Sequence, residues 1–499
     1  MTRIMVLLAG LALTVHGAPT ESFRAGFAEK DITPAIGMEM PGNYMKVFHK
    51  ALHDPCKVRA VVFDDGKSVV ALVGVDALMV PRPLVATVRK EIQERFGLAP
   101  SAVLVGASHS HSSGPTGMVQ PGEFDGASPL VQKLAYEQSS CADAKYLEQV
   151  RRAMVEAVGA AMSNRVAVLA GVGTGQEERA SFNRRFFMQN GLTYTHPGKG
   201  NPEIDRPAGP IDPQVGVIGV WDQQKKFLGC VVNYACHATT SPPGISANWI
   251  YYLEKTIRGA LAPDAVVVFL QGFCGDVTQV DNLSKFAERP GEEGAQYVGG
   301  RVGAEAVKVL VGMAKGGLLP VASRSEVLLL PRRVPDAERV KQSLELVQKE
   351  PSPAGRTDWI FAKETVLLNA MMSHMPKVET EVQAIQVGPV IFLANPGEVF
   401  CQFGLDLRSK SHFPFTFPVE LANGCVGYIP TEAALGEHGG GYETRLTSYS
   451  NLESNAGRLM NEALLKLEAG LQPGSIPLPP PAPAFKEAWT YGRVPSELR

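Results

Sequence analysis

The chain has 499 residues, of which 45% are hydrophobic and 20% charged, and its formal net charge is −2. This near-neutral balance gives no reason to expect nucleic acid or an anionic membrane surface as a partner. The apolar content is typical of a globular protein. The 50 glycines and 37 prolines favour long, shaped loops over a helical bundle.

The first residues have the pattern of an export signal. Arg3 precedes an apolar stretch over residues 4–15, and Gly17 or Ala18 could stand at the cleavage point. A membrane-spanning helix needs about 20 apolar residues, which is longer than this stretch. We therefore expect a signal peptide over residues 1–18 and a secreted or periplasmic protein without a transmembrane segment.

Alternating strands and helices are predicted over the next hundred residues. A strand begins near Phe23, and apolar runs at 58–64 and 68–75 flank the turn Asp65-Gly66, which fits a β-hairpin. Helical spacing over 84–96 is followed by a short apolar run at 102–105. This order indicates an α/β fold in which helices flank mixed sheets.

The same pattern continues to the end of the chain. Helices are predicted at 146–161, 297–314, 337–349 and 451–467, and strands at 166–175, 216–221, 227–234, 266–270, 323–331, 378–387 and 389–393. The segment 182–213 lacks periodicity and is rich in Gly and Pro, which indicates a long functional loop. We expect one large domain over 19–471 and an extended Pro-rich tail over 472–499.

Two histidines follow one of the predicted strands. Residues 103–115 read VLVGASHSHSSGP. Because residues i and i+2 of an extended chain point to the same side, His109 and His111 can face one cavity at the carboxyl end of that strand. Such a pair is a plausible start for a zinc site, which needs further ligands from elsewhere. The alternative is two histidines on a water-exposed loop.

Several predicted strands, including the one before His109, end in a chemically capable side chain. These residues are Asp76, His109, His111, His237, Asp276 and Glu398. Each alone has an ordinary interpretation as a cap or turn residue. Together they predict one site assembled at a common sheet edge.

The cysteines do not suggest a disulfide scaffold. There are seven, an odd number, with scattered spacing. Cys230 and Cys236 flank an apolar run and are expected to be small buried hydrophobic residues. One or two bridges remain compatible with an oxidising compartment.

Seven stretches, in order, resemble the catalytic domain of the neutral (non-lysosomal) ceramidase family. They are AGFAEKDITP near the start, SHSHSSGP around His109, NRR at 183–185, NYACHATT around His237, GDVT at 275–278, NPGE ending at Glu398, and NGCVGYIPTEAALGEHGGGYE at 423–443. They span nearly all of the mature chain. The resemblance implies a zinc-dependent hydrolase that cleaves a linear amide bond.

The resemblance also implies a ligand set for the zinc ion. In the family, the metal is held by two histidines, a glutamate and a tyrosine, which match His109, His237, Glu398 and Tyr428. Zinc can lower the pKa of bound water to about 7 and polarise a carbonyl group.

Catalytic roles are implied in the same way. His111 would lie beside the metal and handle protons, and Arg184 and Tyr442 would face the substrate carbonyl. Removal of one hydrogen-bond donor to the oxyanion typically lowers the reaction rate by about 10²–10³-fold. The serine of the family's GDVS stretch is Thr278 here, which keeps the hydroxyl in a more hindered form.

The resemblance leaves more than one class of substrate open. Larger ceramidases carry a C-terminal β-sandwich domain, and we expect none here. The leading substrate is ceramide or a related N-acyl amide. One alternative is a zinc amidase acting on a more polar or anionic N-acyl compound, such as an N-acylated sugar or amino acid. Another is a non-catalytic binding protein on the same fold.

Three basic residues in segment 182–213 favour the anionic alternative. Arg185, Lys199 and Arg206 have no role implied by the resemblance. Arginine is suited to hold a carboxylate in a bidentate pair, so these side chains could select an anionic substrate. The ordinary interpretation is solvated loop charge.

Overall fold

The computed structural model describes residues 23–499, so the predicted signal peptide lies outside the described residues. In chain order the first strands are β1 Arg24–Asp31, β2 Lys57–Asp64, β3 Val69–Val75, β4 Val103–Ala107, β5 Val166–Gln176, β6 Phe182–Asn183, β7 Arg185–Met188, β8 Thr193–Thr195, β9 Ile204–Pro207 and β10 Gln214–Asp222. They are followed by β11 Phe227–Tyr234, β12 Val266–Gln271, β13 Val277–Thr278, β14 Val321–Pro331, β15 Lys377–Val387, β16 Val390–Ala394, β17 Glu398–Val399, β18 Phe415–Val419 and β19 Tyr428–Ile429.

The helices lie between these strands. They are α1 Arg82–Phe96, α2 Pro129–Gln132, α3 Ala144–Ser163, α4 Trp249–Ala260, α5 Gly291–Val311, α6 Ala337–Val347, α7 Arg356–Met372, α8 Cys401–Lys410 and α9 Ala456–Ala469. Among the described residues, no helix combines the length and apolarity required to cross a bilayer.

Two large sheets form the centre of the molecule. One has eight strands in the order β12-β11-β10-β5-β1-β2-β3-β4, and the other has four in the order β14-β15-β16-β18. Most neighbours are antiparallel, whereas β3–β4, β11–β12 and β16–β18 are parallel. The predicted mixed sheets are therefore confirmed.

The two sheets pack against each other, and helices cover them. On β10, a Cβ at Gly219 would meet Leu310 of α5, whereas one at Gly216 would meet Phe417 of β18. Because alternate residues of a strand face opposite sides, α5 and the four-stranded sheet lie on opposite faces of the eight-stranded sheet. The buried Asn233 side chain joins the sheets by donating to a carbonyl in each. This arrangement confirms an α/β fold with helices flanking mixed sheets.

Most of the predicted elements are present within a few residues, including the β2–β3 hairpin. The prediction missed α2, α4, α7 and α8. In α7, buried residues occur on several sides, including the fully buried Lys363, so the helix lacks one clear apolar stripe. The long loop predicted at 182–213 contains four short strands, β6 to β9, and β8-β7-β9 form a small sheet.

All seven cysteines are free thiols. Cys230 and Cys236 are fully buried, as predicted. Beyond α9, most side chains are exposed, and Phe485 and Trp489 keep 83% and 75% of their surface accessible. The residues after 478 therefore add little to the core.

Candidate metal centre

The His-x-His segment begins two residues after the end of β4, but its backbone is not extended. His109 has a φ of 60°, in the left-handed region. The extended geometry assumed from the sequence is therefore wrong at this residue. The two side chains nevertheless share one cavity, because the Nε2 atoms of His109 and His111 lie 3.2 Å apart.

A third imidazole completes a compact group. The ligand nitrogens of His109, His111 and His237 all lie within 4.8 Å of one another. Nδ1 of His109 lies 2.9 Å from the carbonyl oxygen of Leu78, and Nδ1 of His237 lies 2.8 Å from that of Cys274. Because a carbonyl can only accept a hydrogen bond, we assign the ring protons to these Nδ1 atoms. Each Nε2 then presents a lone pair to the cavity.

The carboxylate of Glu398 faces both of these lone pairs. Its Oε2 atom lies 3.2 Å from Nε2 of His109 and 3.4 Å from Nε2 of His237. Among the described residues, buried Nε2 of His237 and Oε2 of Glu398 have no hydrogen-bond partner. Two lone pairs and a carboxylate repel one another unless a positive charge, either a proton on His109 or a metal ion, lies between them. The donor set therefore fits a transition metal such as zinc.

Electrostatics keep two of the imidazoles neutral. Burial, with the nearby Arg184 and His109, lowers the pKa of His237 to about 3. Burial, with His109 and His237, also holds the pKa of His111 well below its usual value. The carboxylate of Glu398 acts in the opposite direction on His109, whose pKa is raised despite burial. His237 and His111 therefore have free lone pairs at neutral pH.

Strand pairing brings Glu398 and Tyr428 together from distant parts of the sequence. They are register partners in the parallel pair β17–β19, so their side chains lie on the same face. The Tyr428 hydroxyl lies 3.2 Å from Nη2 of Arg184 and 3.4 Å from the hydroxyl of Tyr442. Burial raises the pKa of Tyr428 well above its usual value.

Arg184 is fixed beside these tyrosines by a buried carboxylate. Its Nε donates to Glu443 over 2.8 Å, and its Nη2 donates to the carbonyl of Gly275 over 2.7 Å. The guanidinium carbon lies 5.3 Å from the ring centre of Tyr442. Thr195 donates to the other oxygen of Glu443 over 2.6 Å. Glu443 is the last residue of the final matching stretch, but neither the sequence pattern nor the resemblance assigned it a role.

A hairpin over residues 37–49, which we call the roof hairpin, covers this region. Glu39 pairs with Phe48 across it. A Cβ at Gly42 would lie 2.5 Å from Nδ1 of His111, and the ring of Tyr44 is 6.3 Å from that of Tyr442. Pro41 and Gly42 are typical turn residues, but their sequence does not indicate which residues the turn covers.

Two residues predicted at strand ends have supporting contacts instead. The carboxylate of Asp76 accepts from Nη1 of Arg59 and from the backbone of Lys57. The carboxylate of Asp276 accepts from Asn183 and from the backbone of Cys401. Neither contacts the histidine group, so the prediction of one site for all strand-end residues was too broad.

Thr278 lies close to the segment that follows His237. Its hydroxyl is 3.3 Å from that of Thr239 and donates to Gln279 over 2.8 Å. The side chain is buried. Its catalytic role remains a prediction.

The basic side chains of segment 182–213 make intramolecular contacts. Arg185 is buried and donates to the carbonyl of Gly440 over 2.6 Å. Lys199 donates to the carbonyl of Asp281 over 3.0 Å, and Arg206 pairs with the aspartate that precedes it. Each of the three thus has a partner within the chain, but the buried Nε atom of Arg185 has none among the described residues. Their selection of an anionic substrate stays a prediction.

The sequence matches no protein-family model and no curated protein. Two solved structures are similar to this chain over most of their own length. Neutral ceramidase from Pseudomonas aeruginosa has a TM-score of 0.67 at 17% identity, covering 92% of this chain and 76% of that one. The chain has the neutral ceramidase fold. A ceramidase complexed with C2 gives a TM-score of 0.67 at 16% identity, with 92% and 77% coverage. The neutral ceramidase fold predicted from the sequence stretches is thus confirmed.

Proposed function

We propose that this chain is a zinc-dependent amidohydrolase that cleaves the N-acyl amide bond of ceramide or a related N-acyl compound. The proposal rests on the convergence of Glu398 with the Nε2 atoms of His109 and His237 in a buried cavity. The shared fold supports it, because both solved relatives are ceramidases.

His109, His237, Glu398 and Tyr428 would hold the metal. When bound, zinc supplies an activated water and polarises the substrate carbonyl. The backbone carbonyls of Leu78 and Cys274 orient the two imidazoles, as the outer partners of metal-bound histidines commonly do.

His111 would move the proton that amide hydrolysis requires. Its imidazole is neutral at pH 7 because its pKa is held low by burial and by the neighbouring imidazoles. It can accept a proton from the attacking water and deliver it to the nitrogen of the departing amine. Water and amide are thereby converted into a carboxylic acid and an amine, with no other reactant.

Arg184 and Tyr442 would stabilise the negative charge that develops on the carbonyl oxygen. Nη1 of Arg184 is not used in the hydrogen bonds to Glu443, Gly275 and Tyr428, so it is free to donate. Burial raises the pKa of Tyr442, so its hydroxyl keeps its proton and is also a donor. Preorganised donors of this kind are a major source of rate enhancement.

A panel of N-acyl amides tests the proposed reaction. Long-chain ceramide, an N-acyl amino acid and an N-acyl sugar would be incubated with the protein, and released fatty acid measured. We expect ceramide to be the best substrate and chelator treatment to abolish hydrolysis. Preference for the carboxylate-bearing amide would favour the anionic alternative. Metal binding without hydrolysis of any compound would favour a binding protein.

A variant of His111 separates its role from that of His109. His111→Ala should keep the metal and lose most turnover, whereas His109→Ala should lose both. Metal content and fatty-acid release would be measured on the same preparations. Equal loss of metal in the two variants would make His111 a ligand, which its position in the three-imidazole group allows.

A further inference from the structure

A buried carboxylate connects two segments that carry metal-centre residues. Glu420 follows β18, and its side chain is fully buried. Its Oε2 atom accepts two backbone N–H groups, from Cys274 over 3.0 Å and from Val399 over 2.9 Å. Burial of a carboxylate is unfavourable unless hydrogen bonds replace those it made with water. The two N–H groups supply that replacement and are in turn held by the carboxylate.

The first of these donors belongs to the residue that orients His237. The carbonyl oxygen of Cys274 lies 2.8 Å from Nδ1 of His237 and keeps the ring proton on that atom. The thiol of Cys274 donates to Oε1 of Glu420 over 2.9 Å, so both carboxylate oxygens hold this one residue. A shift of Cys274 would turn the imidazole and move Nε2 of His237 away from the cavity.

The second donor belongs to the residue next to Glu398. In the parallel pair β17–β19, the N–H groups of Glu398 and Phe400 donate toward β19. Because successive N–H groups of a strand point to opposite sides, that of Val399 points away from β19. Glu420 supplies the acceptor on that side. The position of Glu398 therefore depends on an acceptor outside its own sheet.

We propose that Glu420 is a positioning residue that sets the separation of His237 and Glu398 and thereby the affinity of the site for zinc. A single oxygen atom receives the N–H groups of Cys274 and Val399, so neither segment can move without stretching a hydrogen bond to it. Glu420 acts through these two backbone groups and not as a ligand. The inference rests on the proposed function, since it takes the metal to be held by the assigned ligands.

Zinc affinity of substituted proteins tests this role, because it is measured without catalysis. Glu420→Ala removes the shared acceptor and should raise the Kd for zinc about 10–100-fold, the usual effect of losing an outer partner of a metal ligand. Glu420→Gln removes the charge but keeps an oxygen that accepts both N–H groups, so it should keep wild-type affinity. Glu420→Asp keeps the charge but withdraws the acceptor by one methylene, so it should also raise the Kd. The comparison of Asp with Gln stands even if the Ala variant does not fold.

Glu468 offers a matched control. It is another buried carboxylate that accepts a backbone N–H, from His412 over 2.9 Å, and its other hydrogen bond is to Ser411, just beyond the end of α8. Glu468→Ala should lower the stability of the fold and leave zinc affinity unchanged. Competition with a chromophoric chelator would give the Kd for each folded protein. The visible spectrum of bound Co²⁺ reports coordination geometry, and it should change in Glu420→Ala and Glu420→Asp alone.

Wild-type affinity in both Glu420→Ala and Glu420→Asp would overturn the positioning role. A loss in Glu420→Gln equal to that in Glu420→Ala would also overturn it, because charge rather than the shared acceptor would then determine affinity. An equal loss in Glu468→Ala would do the same, since any destabilised variant would then bind zinc weakly. A wild-type protein that binds no zinc would contradict the proposed function itself, which distinguishes that failure from the others.

Discussion

At the level of single residues, Glu443 fixes the guanidinium beside the metal centre. Its carboxylate is fully buried and accepts from both Arg184 and Thr195. A buried charge pair contributes little net stability, but removal of one partner leaves the other charge unpaired. The orientation of Arg184 therefore depends on a side chain that need not touch the substrate.

Replacing this carboxylate should lower the stability of the fold. Glu443→Gln should lower the free energy of unfolding by about 3–5 kcal/mol, because Arg184 loses its counter-charge in a buried site. Thr195→Val is the matched control: it removes only a hydroxyl donor, which should cost about 1 kcal/mol. Urea denaturation measures both. A Gln variant as stable as the wild type would show that Arg184 has another counter-charge.

At the level of elements, the roof hairpin is fixed at its turn. Lys363, fully buried in α7, donates to the carbonyl of Tyr44 over 2.6 Å. At the base, His49 lies 2.8 Å from the carbonyl of Ser113, two residues after His111. The hairpin is therefore tied to the metal-centre segment and to α7.

Two glycines of the hairpin provide a test with a built-in control. Gly42 and Gly37 both have positive φ, of 82° and 94°. An alanine at either position costs about 1–2 kcal/mol of backbone strain. Only Gly42→Ala also places a Cβ against His111, since nothing lies within 4 Å of the corresponding position at Gly37.

We therefore expect Gly42→Ala to lower kcat/KM for amide hydrolysis by about 10²-fold or more, because it displaces the residue assigned to proton transfer. Gly37→Ala should lower the stability of the fold but leave kcat/KM unchanged. Steady-state kinetics beside thermal unfolding separates the two effects. Equal kinetics in the two variants would mean that the hairpin does not position His111.

At the level of the whole molecule, Asn423 joins the two large sheets behind the metal centre. Its φ is 63°, and its side chain accepts from the backbone of Val105 in β4 and donates to Gln383 in β15. Asparagine tolerates this left-handed backbone better than most residues. The same residue begins the segment that carries Tyr428 and Tyr442.

Asn423→Ala should lower the free energy of unfolding by about 1–3 kcal/mol, because buried polar groups in both sheets lose their partner. Asn190→Ala, in an exposed turn, is the control and should stay within about 0.5 kcal/mol. Chemical denaturation of both variants is the measurement. A loss in Asn423→Ala no greater than in the control would contradict a joining role.

Local sequence patterns predicted most strands, because buried strands appear as apolar runs bounded by turns. They also located His109, His237 and Glu398 as strand-end residues. The same rule also selected Asp76. In the sequence, a strand-end carboxylate that pairs with a buried arginine cannot be distinguished from one that binds a metal. Glu443 and Tyr44 were not assigned, since their roles depend on contacts between segments far apart in the chain.

Metal content is the most direct test of the account, because the proposed chemistry depends on a cation between Glu398 and two imidazoles. Purified protein would be analysed for metals by mass spectrometry beside His109→Ala, His237→Ala and Glu398→Gln. We predict one zinc per chain in the wild type and its loss in each variant. Full zinc occupancy in the histidine variants, or none in the wild type, would contradict the assigned metal centre.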